Sequence, residues 1–257
     1  MQTTKLAFQL RYFIEIAYNG TRYHGWQVQP NARSIQGELN KALQTLLKED
    51  IHLVGAGRTD AGVHAKTMWA HFDSCQSFDR EHITYRINRF VDADISVKQI
   101  VAVLDDAHAR FTATYREYEY WIATGKNPFY QEISTFLPQI PDIDKMNEVL
   151  PVLFEYEDFT SFSKLHTDVK TNNCKIYKAH WEKRDDMLVF TIRADRFLRN
   201  MVRAIVGTLL EYAYGEIDEA DFRRIIESKS RANAGKSAPA TGLYLTAVGY
   251  PKEIWNG

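Results

Sequence analysis

The chain has 257 residues, 45% of them hydrophobic and 25% charged, with a formal net charge of −1, the make-up of an ordinary soluble globular enzyme large enough for one core or two modest ones. No stretch approaches the roughly 18 apolar residues of a membrane span, and the N-terminus MQTTKLAFQLRYF carries neither a long apolar run nor a cleavage site. Cys75 and Cys174 stand in no CxxC pair or metal-ligand spacing, so the sequence argues for a reducing, cytoplasmic setting without a membrane.

In chain order, residues 11–18 (RYFIEIAY) predict a strand and Asn19-Gly20 a turn. Ser34 predicts an N-cap for a helix with an apolar stripe at Ile35, Leu39, Ala42, Leu43, Leu46 and Leu47. Strands are expected over 51–56, 68–75 and 97–104, with a short helix over 80–90. The second half restarts the pattern. It has an aromatic strand over 112–123, a helix over 142–153 and a hairpin of 175–184 with 187–194 turning at Asp185-Asp186. A long apolar helix over 197–214, a polar one over 218–228 and a closing strand over 243–250 follow. Strands and helices mix without strict βαβ alternation. That predicts an α+β architecture with a largely antiparallel sheet. The division expected is 1–107 and 108–257, two α+β halves of similar element order, without a convincing sequence repeat between them.

The most informative stretch is Gly57-Arg58-Thr59-Asp60-Ala61-Gly62-Val63-His64, a loop between two apolar strands. Rigid strands can aim such a loop, and its glycines permit backbone positions closed to other residues. Asp60, with Arg58 two residues before it and His64 after, reads as a carboxylate held ionised beside a cation, fit to act as nucleophile or base. The competing reading is a turn Asp making an Asx hydrogen bond. The histidines are scattered, with no HExxH pair, and no phosphate-cradling GxxxxGK[ST] or GxGxxG occurs. No metal and no nucleotide cofactor are therefore expected.

GRTDAGVH resembles the signature of the TruA family of tRNA pseudouridine synthases. Five further stretches agree with that family in order: Tyr23-His24-Gly25-Trp26-Gln27; Phe111-Thr112-Ala113-Thr114 followed by Tyr118; Phe159-Thr160-Ser161-Phe162; Phe197-Leu198-Arg199-Asn200-Met201-Val202-Arg203 with Gly207; and Ala238-Pro239 followed by Gly242-Leu243-Tyr244-Leu245. The resemblance spans about residues 11 to 251.

The resemblance implies the pseudouridine synthase fold, with a cleft between two similar halves. It implies a cofactor-free isomerase that converts uridine to pseudouridine at positions 38, 39 and/or 40 in the anticodon stem-loop of tRNA, working as a homodimer. Asp60 would be the catalytic residue, adding to C6 of uracil, attacking C1′ or deprotonating the ribose. The target base must leave the stack to be reached, and Arg58 would meet the flipped nucleotide or its phosphate. Tyr118 would stack on uracil or take the C5 proton, although Tyr118 and Tyr120 share a strand face. Arg203 would pair with Asp60. Arg199, one turn earlier on a similar face, would instead reach an RNA phosphate, and Leu243 would wall the flipped base or serve only as core. Residues 164–203 carry ten Lys or Arg against five Asp or Glu, while the first 107 residues balance twelve against twelve. That excess predicts a phosphate-tracking surface including Lys164, Lys170, Lys175 and Lys178. The rivals are an RNA-binding module without catalysis, a family member acting on another RNA, and a carboxylate hydrolase, which would need a second acid.

Overall fold

A computed structural model describes residues 9–164 and 171–255. The strands are β1 (Leu10–Tyr18), β2 (Val54–Gly55), β3 (His64–Ser74), β4 (Ile95–Ala102), β5 (Tyr115–Ala123), β6 (Thr135–Phe136), β7 (Ile176–Arg184), β8 (Met187–Ala194) and β9 (Leu243–Gly249). The helices are α1 (Ile35–Leu47), α2 (Arg80–Phe90), α3 (Ile143–Val149), α4 (Met201–Ala213) and α5 (Glu219–Glu227). One sheet runs β4-β1-β3-β9-β5-β8-β7, with β2 added to β3 and β6 to β5. Its pairs are antiparallel except β3 with β9 and β5 with β6. The architecture is α+β, a large, mostly antiparallel sheet flanked by helices. The strand order also repeats. β4-β1-β3-β2 and β9-β5-β8-β7 each run last, first, third, second.

Local chemistry explains the elements. The Ser34 side chain accepts from the Gly37 N–H to start α1, and left-handed Lys48 (φ 56°) ends it. Asp79 caps α2 in the same way, and Asp218 with Asp221 closes a capping box on α5. Three expectations are corrected. The strand expected over 51–56 shrinks to β2. Side chains of α1 take up the backbone before it: Asn40 accepts from the Leu53 N–H (2.9 Å), and Gln36 and Gln44 donate to the carbonyls of Leu53 (2.7 Å) and Ile51 (2.8 Å). The helix expected over 142–153 gives way after Val149 to a 3-10 turn, because Pro151 lacks the N–H an α-helix would use. The helix expected from 197 begins at Met201, since Asn200 takes a left-handed φ of 68°. β3 also reaches back to His64, so the last loop residue is already strand.

Two apolar clusters divide the sheet between them. One joins β1, β3, β4, α1 and α2 through Phe13, Ile14, Leu39, Leu43, Phe72 and Ile87. The other joins β5, β7, β8 and α3 to α5 through Tyr120, Leu153, Phe162, Phe190, Leu209 and Phe222. Tyr118 packs against both. The clusters exchange residues at the seam: Val63 belongs to the second, Leu245 and Val248 to the first. There β3 meets β9 through only two parallel pairs, His64↔Tyr244 and Ala65↔Leu245. The loop before β3 therefore opens onto the seam.

Candidate active site

The loop over 56–63 is held by its neighbours. Ala56 N–H donates to Trp69 (2.7 Å), and the Trp26 N–H donates to the carbonyl of Thr59 (3.2 Å). The buried Thr59 hydroxyl bonds to the Tyr18 hydroxyl at 2.9 Å. Gly62 donates to Tyr23 (3.3 Å), and Val63 turns back onto the Asp60 carbonyl (3.2 Å). Gly25, at φ 85°, lies so close that a Cβ there would stand 2.3 Å from the Thr59 carbonyl oxygen. The 23–26 segment is thus a cradle for the loop.

So held, Asp60 presents its carboxylate to two guanidinium groups. Arg199 Nε lies 3.5 Å from one oxygen and Arg203 Nη1 3.6 Å from the other. Arg203 is aimed by its own bond from Nε to the Ala238 carbonyl (2.7 Å), and the Ala238 N–H returns to the Arg203 carbonyl (2.9 Å). The 236–238 segment can lie this close because Gly207 has no side chain: a Cβ would sit 1.9 Å from the Lys236 oxygen. Arg203 is 20% exposed, Asp60 27% and Arg199 56%. Arg203 is therefore the inner partner and Arg199 the outer one. The separations are longer than hydrogen bonds, so the carboxylate oxygens are faced by charge but not consumed by it.

The two strand-mates Tyr118 and Tyr120 separate sharply. Tyr120 is fully buried, and its hydroxyl is spent between Thr135 (2.6 Å) and the Pro239 carbonyl (2.9 Å). Tyr118 is half-buried at the seam, edge-on to Phe197 with ring centres 5.1 Å apart. Burial pushes its phenol up to about 12, eased by Arg116 and reinforced by the Asp60 charge. The group is a phenol at neutral pH. Leu243 heads β9 with 6% of its surface exposed, packed in the second cluster.

Arg58 and His64 are not the partners of Asp60 that their spacing suggested. Arg58 is exposed, and no acid among the described residues pairs with it. His64 is a buried staple between distant segments. Its Nδ1 accepts from the Gly20 N–H (3.2 Å), Nε2 bonds the Thr241 carbonyl (3.1 Å), and its ring stacks on Tyr244 at 4.6 Å. Burial lowers its pKa below the ordinary histidine value, which the bond to Thr241 partly offsets. The basic tract is also thinner than its count. Arg184 pairs with Glu119 and Glu182, and Arg193 with Glu117. Lys164, Lys175 and Lys178 are exposed, while Lys170 lies outside the described residues. Among the described residues no group of three His, Cys, Asp or Glu could hold a metal, and no helix is long and apolar enough to cross a membrane.

Sequence reading missed Arg116. Half-buried in β5, it donates to the carbonyls of Ala56 (2.9 Å), Asp195 (3.0 Å) and Ala113 (3.2 Å), and to that of Arg110. Burial pulls its pKa down from the usual arginine value. It ties the start of the Asp60 loop to β5 and to the end of β8. In sequence it reads as one charge on a strand face, since its partners are backbone atoms far along the chain.

Comparison with known proteins adds lineage to this geometry. A family model described as tRNA pseudouridine synthase matches residues 156–251, the span holding Arg199, Arg203 and Leu243. The tRNA pseudouridine synthase A of Bacteroides fragilis is 56% identical over 247 residues, 95% of this chain and 98% of that protein. The enzyme of the same name from Parabacteroides distasonis is 52% identical, covering 95% and 98%, and that from Bacillus licheniformis 42%, covering 91% and 97%. The chain belongs to the tRNA pseudouridine synthase family.

Proposed function

We propose that this chain is an isomerase that converts uridine to pseudouridine in tRNA, at positions 38, 39 and/or 40 of the anticodon stem-loop, with Asp60 as the catalytic residue acting on a flipped-out base. The observation that carries the reading is the Asp60 carboxylate on its cradled loop, faced at 3.5 and 3.6 Å by Arg199 and Arg203. The reaction breaks the C1′–N1 bond, rotates the uracil, forms C1′–C5, moves a proton off C5 and leaves one on N1. No electrons are gained or lost, so the balance calls for no redox cofactor. A carboxylate with free oxygens can add to C6, attack C1′ or take a ribose proton, and each route starts from the anion.

The other residues follow from their settings. Arg203, fixed on Ala238, orients and balances Asp60. Arg199, more exposed, balances Asp60 in the free enzyme and turns to an RNA phosphate in the complex. Arg58 meets the flipped nucleotide. Tyr118 stacks on the uracil and offers a proton-bearing hydroxyl; to take the C5 proton it would first have to lose its own. Leu243, at 6% exposure, gives the base little more than an apolar edge.

We read the chain as two halves, 1–107 and 108–257, enclosing the site in a cleft. The repeated strand order and the two cores support this. Lys164, Lys175 and Lys178 supply phosphate contacts, and a homodimer acting in the cytoplasm presents them to one tRNA. Incubation with a uridine-labelled tRNA transcript, followed by nucleoside analysis, tests the proposal. Pseudouridine in the anticodon stem-loop is the expected product; bound but unmodified tRNA would make the chain a binder.

A further inference from the structure

Phe111 is 75% exposed, an unusual placement for an aromatic side chain that is also rigidly mounted. Its N–H and that of Arg110 both donate to Nδ1 of His108, at 3.3 and 3.1 Å. The turn is closed from both ends: Thr112 N–H donates to the His108 carbonyl (2.9 Å), and His108 N–H to the Thr112 hydroxyl (2.9 Å). The His108 ring backs Phe111 with centres 4.4 Å apart and is itself backed by buried His71 at 4.4 Å. His71 holds the turn through the Ala109 N–H (3.2 Å). Three rings thus rise in series from the core, and the outermost faces solvent.

The position of this ring relates it to the catalytic loop. Arg116 Nη2 donates both to the Ala56 carbonyl and to the Arg110 carbonyl. The turn bearing Phe111 is therefore clamped beside the start of the loop that carries Arg58 and Asp60. Exposed Arg110 adds a guanidinium 5.6 Å from the Phe111 ring centre, and exposed Arg58 leaves the same neighbourhood on the loop. An aromatic face beside one cation, on a turn clamped to the loop that carries another, has the chemistry of a nucleotide step: a ring for the base and positive charge for the flanking phosphates.

We propose that Phe111, with Arg110 beside it, is a stacking platform for an unpaired base of the RNA next to the uridine being modified. This rests on the reading of the chain as a tRNA enzyme. Every base has a π-face, so such a platform accepts any neighbour and suits an enzyme that meets varied sequences. Because the ring is already fixed, little ordering cost falls on the complex.

The test is tRNA affinity, read without turnover, for the full-length protein and its Phe111→Ala, Phe111→Leu, Phe111→Trp and Arg110→Ala variants. Phe111→Ala should weaken binding about five- to hundredfold, the range for losing one base–aromatic stack. Its slope of log affinity against log salt and its melting temperature should match the wild type, since no charge and little buried surface are lost. Phe111→Trp should bind like wild type and Phe111→Leu like Phe111→Ala. Arg110→Ala should flatten the salt slope by about one contact. Unchanged affinity in Phe111→Ala, or full binding by Phe111→Leu, would overturn the platform. So would a shift of Phe111→Ala to a smaller assembly in sedimentation, which would make the ring a subunit contact. A wild type that binds tRNA but forms no pseudouridine would strike the chemistry assigned to Asp60 and leave the platform standing.

Discussion

Two connections occupy the same place in the repeated strand order, and they could hardly differ more. β7 and β8 are joined by Asp185-Asp186 alone, with Arg184 paired to Met187 and Asp185 at φ 50°. β2 and β3 are joined by residues 56–63, which take anchors from Tyr18, Tyr23, Trp26 and Trp69 and bring Asp60 to Arg199 and Arg203. A two-residue hairpin satisfies its own backbone and leaves no side chain to aim. An eight-residue loop cannot satisfy itself, so other elements must hold it. Those elements fix the direction of the carboxylate. On the proposed reading, the chemistry sits in the connection that depends most on the rest of the molecule.

The comparison breaks most visibly at Arg203. Arg203→Ala should cost at least about a hundredfold in turnover, the scale of losing one preorganised charged group. It should also lower stability by about 1.5–3 kcal/mol through the lost bond to Ala238. Turnover assays and denaturant melts on one preparation check both; lost activity at full stability would move Arg203 from Asp60 onto the RNA. Gly25→Ala comes next. At φ 85° and 2.3 Å from the Thr59 oxygen, the added methyl should push the loop out of its cradle. We expect a cost of roughly 1–3 kcal/mol and a loss of activity that tRNA binding does not share.

A smaller effect is expected from pH. Burial holds His64 neutral, with its folded pKa below that of the unfolded chain. Folding is then favoured by the neutral ring, fully so above about 6.5. That stability drains away as acid protonates the unfolded state first. Melting curves should weaken below about pH 6.5, and less steeply in His64→Gln. The smallest change belongs to the other connection. Asp185→Gly relieves a left-handed residue, and we expect up to about 1 kcal/mol of added stability with turnover unchanged. A loss of activity there would show that the two connections are not as unlike as their anchors suggest.

The sequence carried the elements whose signals are local. The Ser34 cap, the stripe of α1 and the Asp185-Asp186 turn needed only neighbouring residues to declare themselves. The motif loop was legible for the same reason, being eight consecutive residues. What failed depended on distant partners. The strand expected over 51–56 is apolar enough, yet Gln36, Asn40 and Gln44 take its hydrogen bonds. Arg58 and His64 lie near Asp60 in sequence but do not pair with it: Arg58 is exposed, and both ring nitrogens of His64 are taken by the backbone of Gly20 and Thr241. Arg184 and Arg193 counted toward a basic tract until β5 placed Glu119 and Glu117 against them. Arg116 binds carbonyls, which every residue has, so no pattern of residue types could have announced it.

The central claim is that the long connection exists to present one carboxylate. Asp60→Asn tests it most directly, with tRNA affinity and nucleoside product measured on the same purified protein. Asn keeps the size of Asp and its capacity for turn hydrogen bonds, so the loop should stay in its cradle and tRNA should bind as tightly as to wild type, or more tightly for the loss of a negative charge near phosphate. The anion and its nucleophilic oxygen are gone, so pseudouridine should be absent. An Asp that only shapes the turn would tolerate the change. Pseudouridine formed by Asp60→Asn at an appreciable fraction of the wild-type rate would contradict the account.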